Sequence, residues 1–134
     1  MTIKKLSSHG FTLPELLLTA AILAYALSIM LMLFINTTAL NQASRNLTTA
    51  TIHAEYVMES VKNTAFALIA TNISSGTWTW NTAGVTSQGL TALNGESITT
   101  TSSGTNPLTV AVTVAWQDMQ GRSRSKSLST LISG

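Results

Sequence analysis

The stretch LLLTAAILAYALSIMLMLFI, from Leu16 to Ile35, decides how the rest of the chain is read. Its 20 residues carry no charge, and only the hydroxyls of Thr19, Tyr25 and Ser28 interrupt it. As a helix rising about 1.5 Å per residue it reaches roughly 30 Å, the thickness of a bilayer's hydrocarbon core, so it can cross a membrane once. The composition agrees with such a segment: 45% of the 134 residues are hydrophobic and only 9% are charged.

Charge placement orients the span. Lys4 and Lys5 precede it and no basic residue follows until Arg45, so the positive-inside bias predicts a cytoplasmic N-terminus and an extracytoplasmic remainder. The formal charge is +2, but without residues 1–10 the chain carries five basic and five acidic side chains. A neutral product argues against strong nonspecific nucleic-acid binding, which needs many phosphates neutralised by Lys and Arg. There is no cysteine, which excludes disulfides, CxxC redox chemistry and thiolate metal sites.

A secretory signal has an apolar core of about 7–15 residues and a small-x-small cleavage site after it. Thr37-Thr38-Ala39 is a weak match, yet the apolar run is too long and a helical pattern continues through that point. An uncleaved anchor is the other plain reading. What separates a third reading from both is the segment Gly10-Phe11-Thr12-Leu13-Pro14-Glu15-Leu16-Leu17-Leu18.

Those residues resemble the leader junction of the type IV pilin and type II secretion pseudopilin family. The resemblance implies that a prepilin peptidase cuts after Gly10 and methylates Phe11 as the new N-terminus, and that Glu15 is the family's glutamate at the fifth mature position. It implies a precursor held in the inner membrane, with its C-terminal domain in the periplasm. Such a precursor is recruited by an inner-membrane assembly platform and joins other pilins or pseudopilins in a pilus or pseudopilus. Pro14 departs from the family's usual aliphatic residue, although proline is tolerated in a first helical turn, where its missing N–H has no partner to lose.

A carboxylate at the edge of an apolar run is costly unless it is paired or held near the interface. Cleavage supplies a partner, because the new α-amine, with a reference pKa of about 7.7–8.0, is largely cationic near neutral pH. Two unit charges about 4 Å apart attract by roughly 4 kcal/mol at an effective dielectric near 20. A pair between Glu15 and the Phe11 amine then offsets burial when helices bundle, and it sets axial register. The plainer role for Glu15 is to cap a helix N-terminus.

Beyond Ile35 neither glycine nor proline occurs from Asn36 through Ala70. Apolar residues recur at Leu40, Ala43, Leu47, Ala50, Ala54, Val57, Val61, Ala65 and Leu68, always three or four apart, which predicts an amphipathic helix with one narrow stripe. Joined to the apolar run it makes a stem of nearly 60 residues, roughly 80–90 Å long.

From Thr71 to Asn106 the composition shifts to Thr, Ser, Gly and Asn, which predicts loops with short strands at Thr77–Trp80 and Glu96–Thr101. On a strand, Trp78 and Trp80 share a face, a packing or subunit contact more often than a sugar platform. Leu108, Val110, Val112, Val114 and Trp116 then alternate with small residues through Gln117, a strand with one face buried against the helix. Asp118-Met119-Gln120-Gly121 reads as a type I turn with a glycine bulge, and Arg122 to Ile132 as the returning strand. That register sets Trp116 opposite Arg124, Val112 opposite Leu128 and Leu108 opposite Ile132. This ending also resembles the small minor pilins and minor pseudopilins.

The expected fold is α+β: a long N-terminal helix, half membrane-spanning and half amphipathic, packed on a small antiparallel sheet. Its expected parts are a cleaved leader (1–10), a membrane-spanning filament-core helix (11–35), an amphipathic continuation (36–70), a loop region with short strands (71–106) and a C-terminal hairpin (107–134). Arg122, Arg124 and Lys126 share one strand face and form a candidate anion-binding stripe, with DNA as its conceivable partner. The plainer reading is a solvated stripe with Arg124 over the Trp116 ring. The histidines are His9, in the leader, and His53, read as solvated or at an interface. With scattered carboxylates they compose no triad, metal set or phosphate loop, so no catalytic residue and no cofactor is expected.

Overall fold

The computed structural model describes residues 10–134; the expectations for Lys4, Lys5, His9 and the rest of the leader lie outside the described residues. The chain separates into two units at the Ala39–Leu40 boundary. Helix α1, Leu13–Lys62, contributes to both.

In the first unit α1 carries the whole apolar run, and every residue of that run is exposed. It is long and apolar enough to cross a membrane, with a stretch of mean hydropathy 2.4 of which nothing is buried. The hydroxyls of Thr19 and Ser28 donate to the carbonyls of Leu16 and Ala24, so two of the run's three polar side chains are satisfied by their own helix.

In the second unit α1 packs with a second helix, α2 (Phe66–Ser74), on one side of an antiparallel sheet. The strands are β1 (Trp80–Asn81), β2 (Ser97–Ser103), β3 (Leu108–Gln117) and β4 (Ser123–Ile132), in spatial order β1-β2-β3-β4, and a short helix α3 (Thr82–Ser87) follows β1. Ala50, Ala54, Val57, Met58 and Val61 of α1 join Ile69, Trp78, Val85, Ile98 and the inward row of β3, Leu108 to Trp116, in one core. Ala50 and Ala54 place small side chains of α1 in that core. The opposite sheet face carries uncharged side chains, among them Thr99, Thr113 and Ser127 in one cross-strand row and the exposed Leu131. The α+β fold expected from the sequence is the one observed.

The hairpin has the anticipated register: Trp116 pairs with Arg124, Val112 with Leu128 and Leu108 with Ile132. Its turn closes with the Gly121 N–H donating to the Asp118 carbonyl and the Asp118 N–H to the Arg122 carbonyl. Gly121 has a φ of 73°, the left-handed geometry that a glycine bulge needs.

Three expectations are corrected. The stem does not run to residue 70, because α1 ends at Lys62. There the Thr64 N–H takes a tighter bond to the Val61 carbonyl, the Thr64 hydroxyl bonds the Ser60 carbonyl, and Ala65 is extended. The helix ends there without glycine or proline. The break shifts the apolar phase, so Ile69 is fully buried whereas Leu68, on the expected stripe, is 54% exposed.

The strand expected at Thr77–Trp80 is reduced to Trp80–Asn81. Helix α2 closes with Gly76 in the left-handed region, the Gly76 N–H bonding the Ile73 carbonyl and the Thr77 N–H bonding the Asn72 carbonyl, which keeps the chain curled. The two indoles therefore part: Trp78 is buried with its Nε1 donating to Ser60 Oγ, and Trp80 is half-buried beside Tyr56. Within the expected loop region, α3 forms because the Asn81 side chain accepts from the Gly84 N–H and caps it.

Candidate functional site

The junction residues stand at the start of α1. Gly10 and Phe11 precede the helix, and Phe11 is 77% exposed. A Cβ built on Gly10 meets nothing within 4 Å, so the described fold does not require a glycine there. Thr12 occupies the cap position, with its carbonyl accepting from the Leu16 N–H at 3.1 Å. Pro14 falls in the first turn, where its missing N–H costs no intrahelical bond.

The Glu15 carboxylate reaches back to the Thr12 N–H through a long contact of 3.4 Å, the return half of a capping box, and lies at the positive end of the helix dipole. The plainer role weighed for Glu15, a helix cap, is therefore the one it takes in the uncut chain. The group it faces is one residue from Phe11. Gly10, Phe11 and Glu15 thus lie together at one exposed helix end, followed directly by the exposed apolar surface of residues 16–35.

The second candidate, at the hairpin tip, is partly neutralised from within. Asp118 accepts from the backbone N–H groups of Gln120 and Arg122, both at 2.9 Å. Its other oxygen lies 2.9 Å from Arg122 Nε and 3.3 Å from Arg124 Nε. The Arg122 backbone bond above all, with the Arg122 side chain and the Gln120 N–H, holds the Asp118 carboxyl well below its usual range, from 3.8 to about 2. The Arg124 guanidinium, expected over the Trp116 ring, is thus drawn to a carboxylate. Lys126 lies further along β4, half-buried on the inner side. One carboxylate shared by two arginines neutralises one of their two charges, leaving a net +1 at the tip.

Sequence reasoning misplaced one residue outright. His53 is buried, not solvated, and its Nδ1 lies 2.7 Å from Oε1 of Glu96, which is buried as well. The other Glu96 oxygen accepts from the Leu93 N–H at 2.6 Å, and its carbonyl accepts from the Thr82 hydroxyl. The pair ties α1 to the loop before β2 and to the start of α3. The signal was present in the sequence: His53 falls within the stripe of Ala50, Ala54 and Val57, and Glu96 has the parity of inward-facing Ile98. Both side chains are sealed in the core, where a substrate has no access to them. Among the described residues no group of three or more His, Asp or Glu side chains gathers in metal-binding proximity.

Comparison with protein families, with characterised proteins and with solved structures gives no match for this chain.

Proposed function

We propose that the chain is the precursor of a filament subunit of the pilin and pseudopilin type, a structural protein rather than an enzyme. In this reading a prepilin peptidase removes residues 1–10 and methylates Phe11. The apolar half of α1 holds the subunit in the inner membrane, with the sheet domain outside, until assembly moves it into the filament core. The observation that carries the proposal is α1 itself. It begins directly after the Gly10–Phe11 bond, exposes its whole apolar half, and ends as a core element of an α+β domain.

Exposed apolar side chains over 20 residues need a nonaqueous partner, and lipid and neighbouring copies of the same helix are chemically equivalent partners. A subunit can therefore pass from membrane to filament core without gaining or losing hydration of that surface. Glu15 is the exception, since its carboxylate needs a cation once water is excluded, and the α-amine freed at Phe11 is the nearest one that cleavage creates.

The Gly10 position gives a clean test. Because a side chain there meets open space, Gly10→Val leaves the described fold intact and acts on peptidase recognition alone. On coexpression with a prepilin peptidase, the wild-type chain is expected to shorten by ten residues and the Gly10→Val chain to remain full length. A wild-type chain that keeps its length under coexpression supports the simple membrane-tethered domain instead, and a Gly10→Val chain that is cut equally well contradicts processing at the Gly10–Phe11 bond.

A further inference from the structure

At one edge of the sheet β1 is two residues long, whereas β4 at the other edge runs for ten and pairs only with β3. Which backbone groups β4 leaves free follows from its turn. The Asp118 N–H donates to the Arg122 carbonyl, and these two residues continue the register that sets Gln117 opposite Ser123. Bonded and non-bonded pairs alternate along an antiparallel ladder. Arg124, Lys126, Leu128, Thr130 and Ile132 therefore bond β3, and Ser123, Ser125, Ser127, Ser129 and Leu131 turn their N–H and C=O groups outward. All five of these are exposed and have no backbone partner among the described residues.

Such an edge is a template for a further strand, and proteins commonly close it with a proline, a bulge or a covering element. β4 contains no proline, and its register with β3 is unbroken. What it carries instead is charge at one end. The residues that bond β3 lie on the helix side of the sheet, opposite the buried row from Trp116 to Leu108. Among them Leu128 and Ile132 are partly buried against the core and form an apolar shelf, while Arg124 and Lys126 make the other half of the row cationic. Arg122, Arg124 and Lys126 less the one carboxylate of Asp118 leave a net +2, and Lys126 has no ion pair among the described residues.

That charge pattern selects the occupant. A second copy added in parallel sets Arg124 and Lys126 beside their own counterparts, which is repulsive. Added antiparallel about Leu128, it sets them opposite uncharged Ile132 and Thr130. Neither arrangement answers the cations. We propose that the β4 edge binds an extended acidic segment of a partner protein, added antiparallel as a fifth strand, with acidic side chains opposite Arg124 and Lys126 and apolar ones opposite Leu128 and Ile132. Main-chain bonds to the outward serines supply the affinity and the side-chain row supplies the selectivity. The proposal does not depend on leader cleavage or on filament assembly.

The test is amide hydrogen exchange read by NMR on the full chain in phosphocholine micelles. The probe is the blocked peptide Val-Ser-Thr-Thr-Val-Thr-Glu-Ser-Glu, and the control carries Lys for each Glu. At saturation the acidic peptide is expected to slow exchange at the amides of Ser125, Ser127, Ser129 and Leu131 by about tenfold or more, while Lys126, Leu128 and Thr130, already bonded to β3, stay as they were. The control peptide is expected to bind at least about fivefold more weakly. Lys126→Gln is expected to weaken the acidic peptide about two- to fivefold, the worth of one exposed ion pair. Ser127→Pro removes an outward N–H and spares the bonds to β3, so it is expected to abolish binding, with the β3-bonded amides reporting that the hairpin persists. The proposal is overturned if the acidic peptide protects none of the four amides, if the control or the Lys126→Gln chain binds as tightly as the original pair, or if the same amides become protected with rising chain concentration alone, which would give the edge to a second copy.

Discussion

Asp118 shows how much one side chain organises in a turn of five residues. It receives two backbone N–H bonds and two guanidinium contacts, and its carboxyl titrates near 2 rather than 3.8. A carboxyl whose folded pKa lies below its unfolded value stabilises fully above the unfolded value and loses that contribution as pH falls through the folded one. The hairpin tip is therefore expected to loosen between about pH 4 and pH 2, with an Asp118 carboxyl NMR titration centred near 2 and an Asp118→Asn chain lacking that step. A midpoint near the ordinary 3.8 would mean the contacts are not held in solution.

His53 and Glu96 make a second residue-scale case. Replacing His53 by Ala strands a buried carboxylate oxygen, which costs about 1–3 kcal/mol before the cavity is counted, readable in denaturant melts. A loss below about 0.5 kcal/mol would place the pair in contact with water. Their pairing was hidden from sequence reading because the partners are 43 residues apart and a lone histidine among polar neighbours looks solvated. The phase of the stripe was the better guide.

At the level of elements, legibility followed the range of the interactions. The β3–β4 hairpin was readable to the residue, since the alternation of large apolar residues with Thr and Ala and a glycine bulge fix register locally. The apolar helix was readable because length and hydropathy alone define it. The end of α1 was not, because no breaker marks it and the stop depends on what Ile69 gains in the core. That explanation separates two neighbours sharply. Ile69→Ala is expected to cost about 2–5 kcal/mol, and Leu68→Ala to stay within about 0.5 kcal/mol. Equal losses at both positions would argue that the helix continues unbroken, as the sequence alone suggested. Helix α3 escaped notice for a related reason: its glycine and β-branched residues have low helix propensity, and only the Asn81 cap announces it.

At the scale of the molecule, an exposed apolar helix and an independently cored sheet domain share one 50-residue helix, and the proposed function turns on how that helix is released and packed. Glu15→Ala removes a cap worth about 0.5–1 kcal/mol and, in the proposed filament, the partner of the Phe11 amine. The expected result is a chain that is still cut and still membrane-bound but missing from the sheared filament fraction. Its presence there at wild-type level would reduce Glu15 to a helix cap. The junction was legible only as a pattern of residue types, for in the uncut chain Glu15 has no α-amine beside it. The most direct test of the central claim is intact and N-terminal mass spectrometry of the chain from cells with a functional prepilin peptidase: the account predicts a mature chain beginning at N-methylated Phe11, and an intact Met1 or any other start would contradict it.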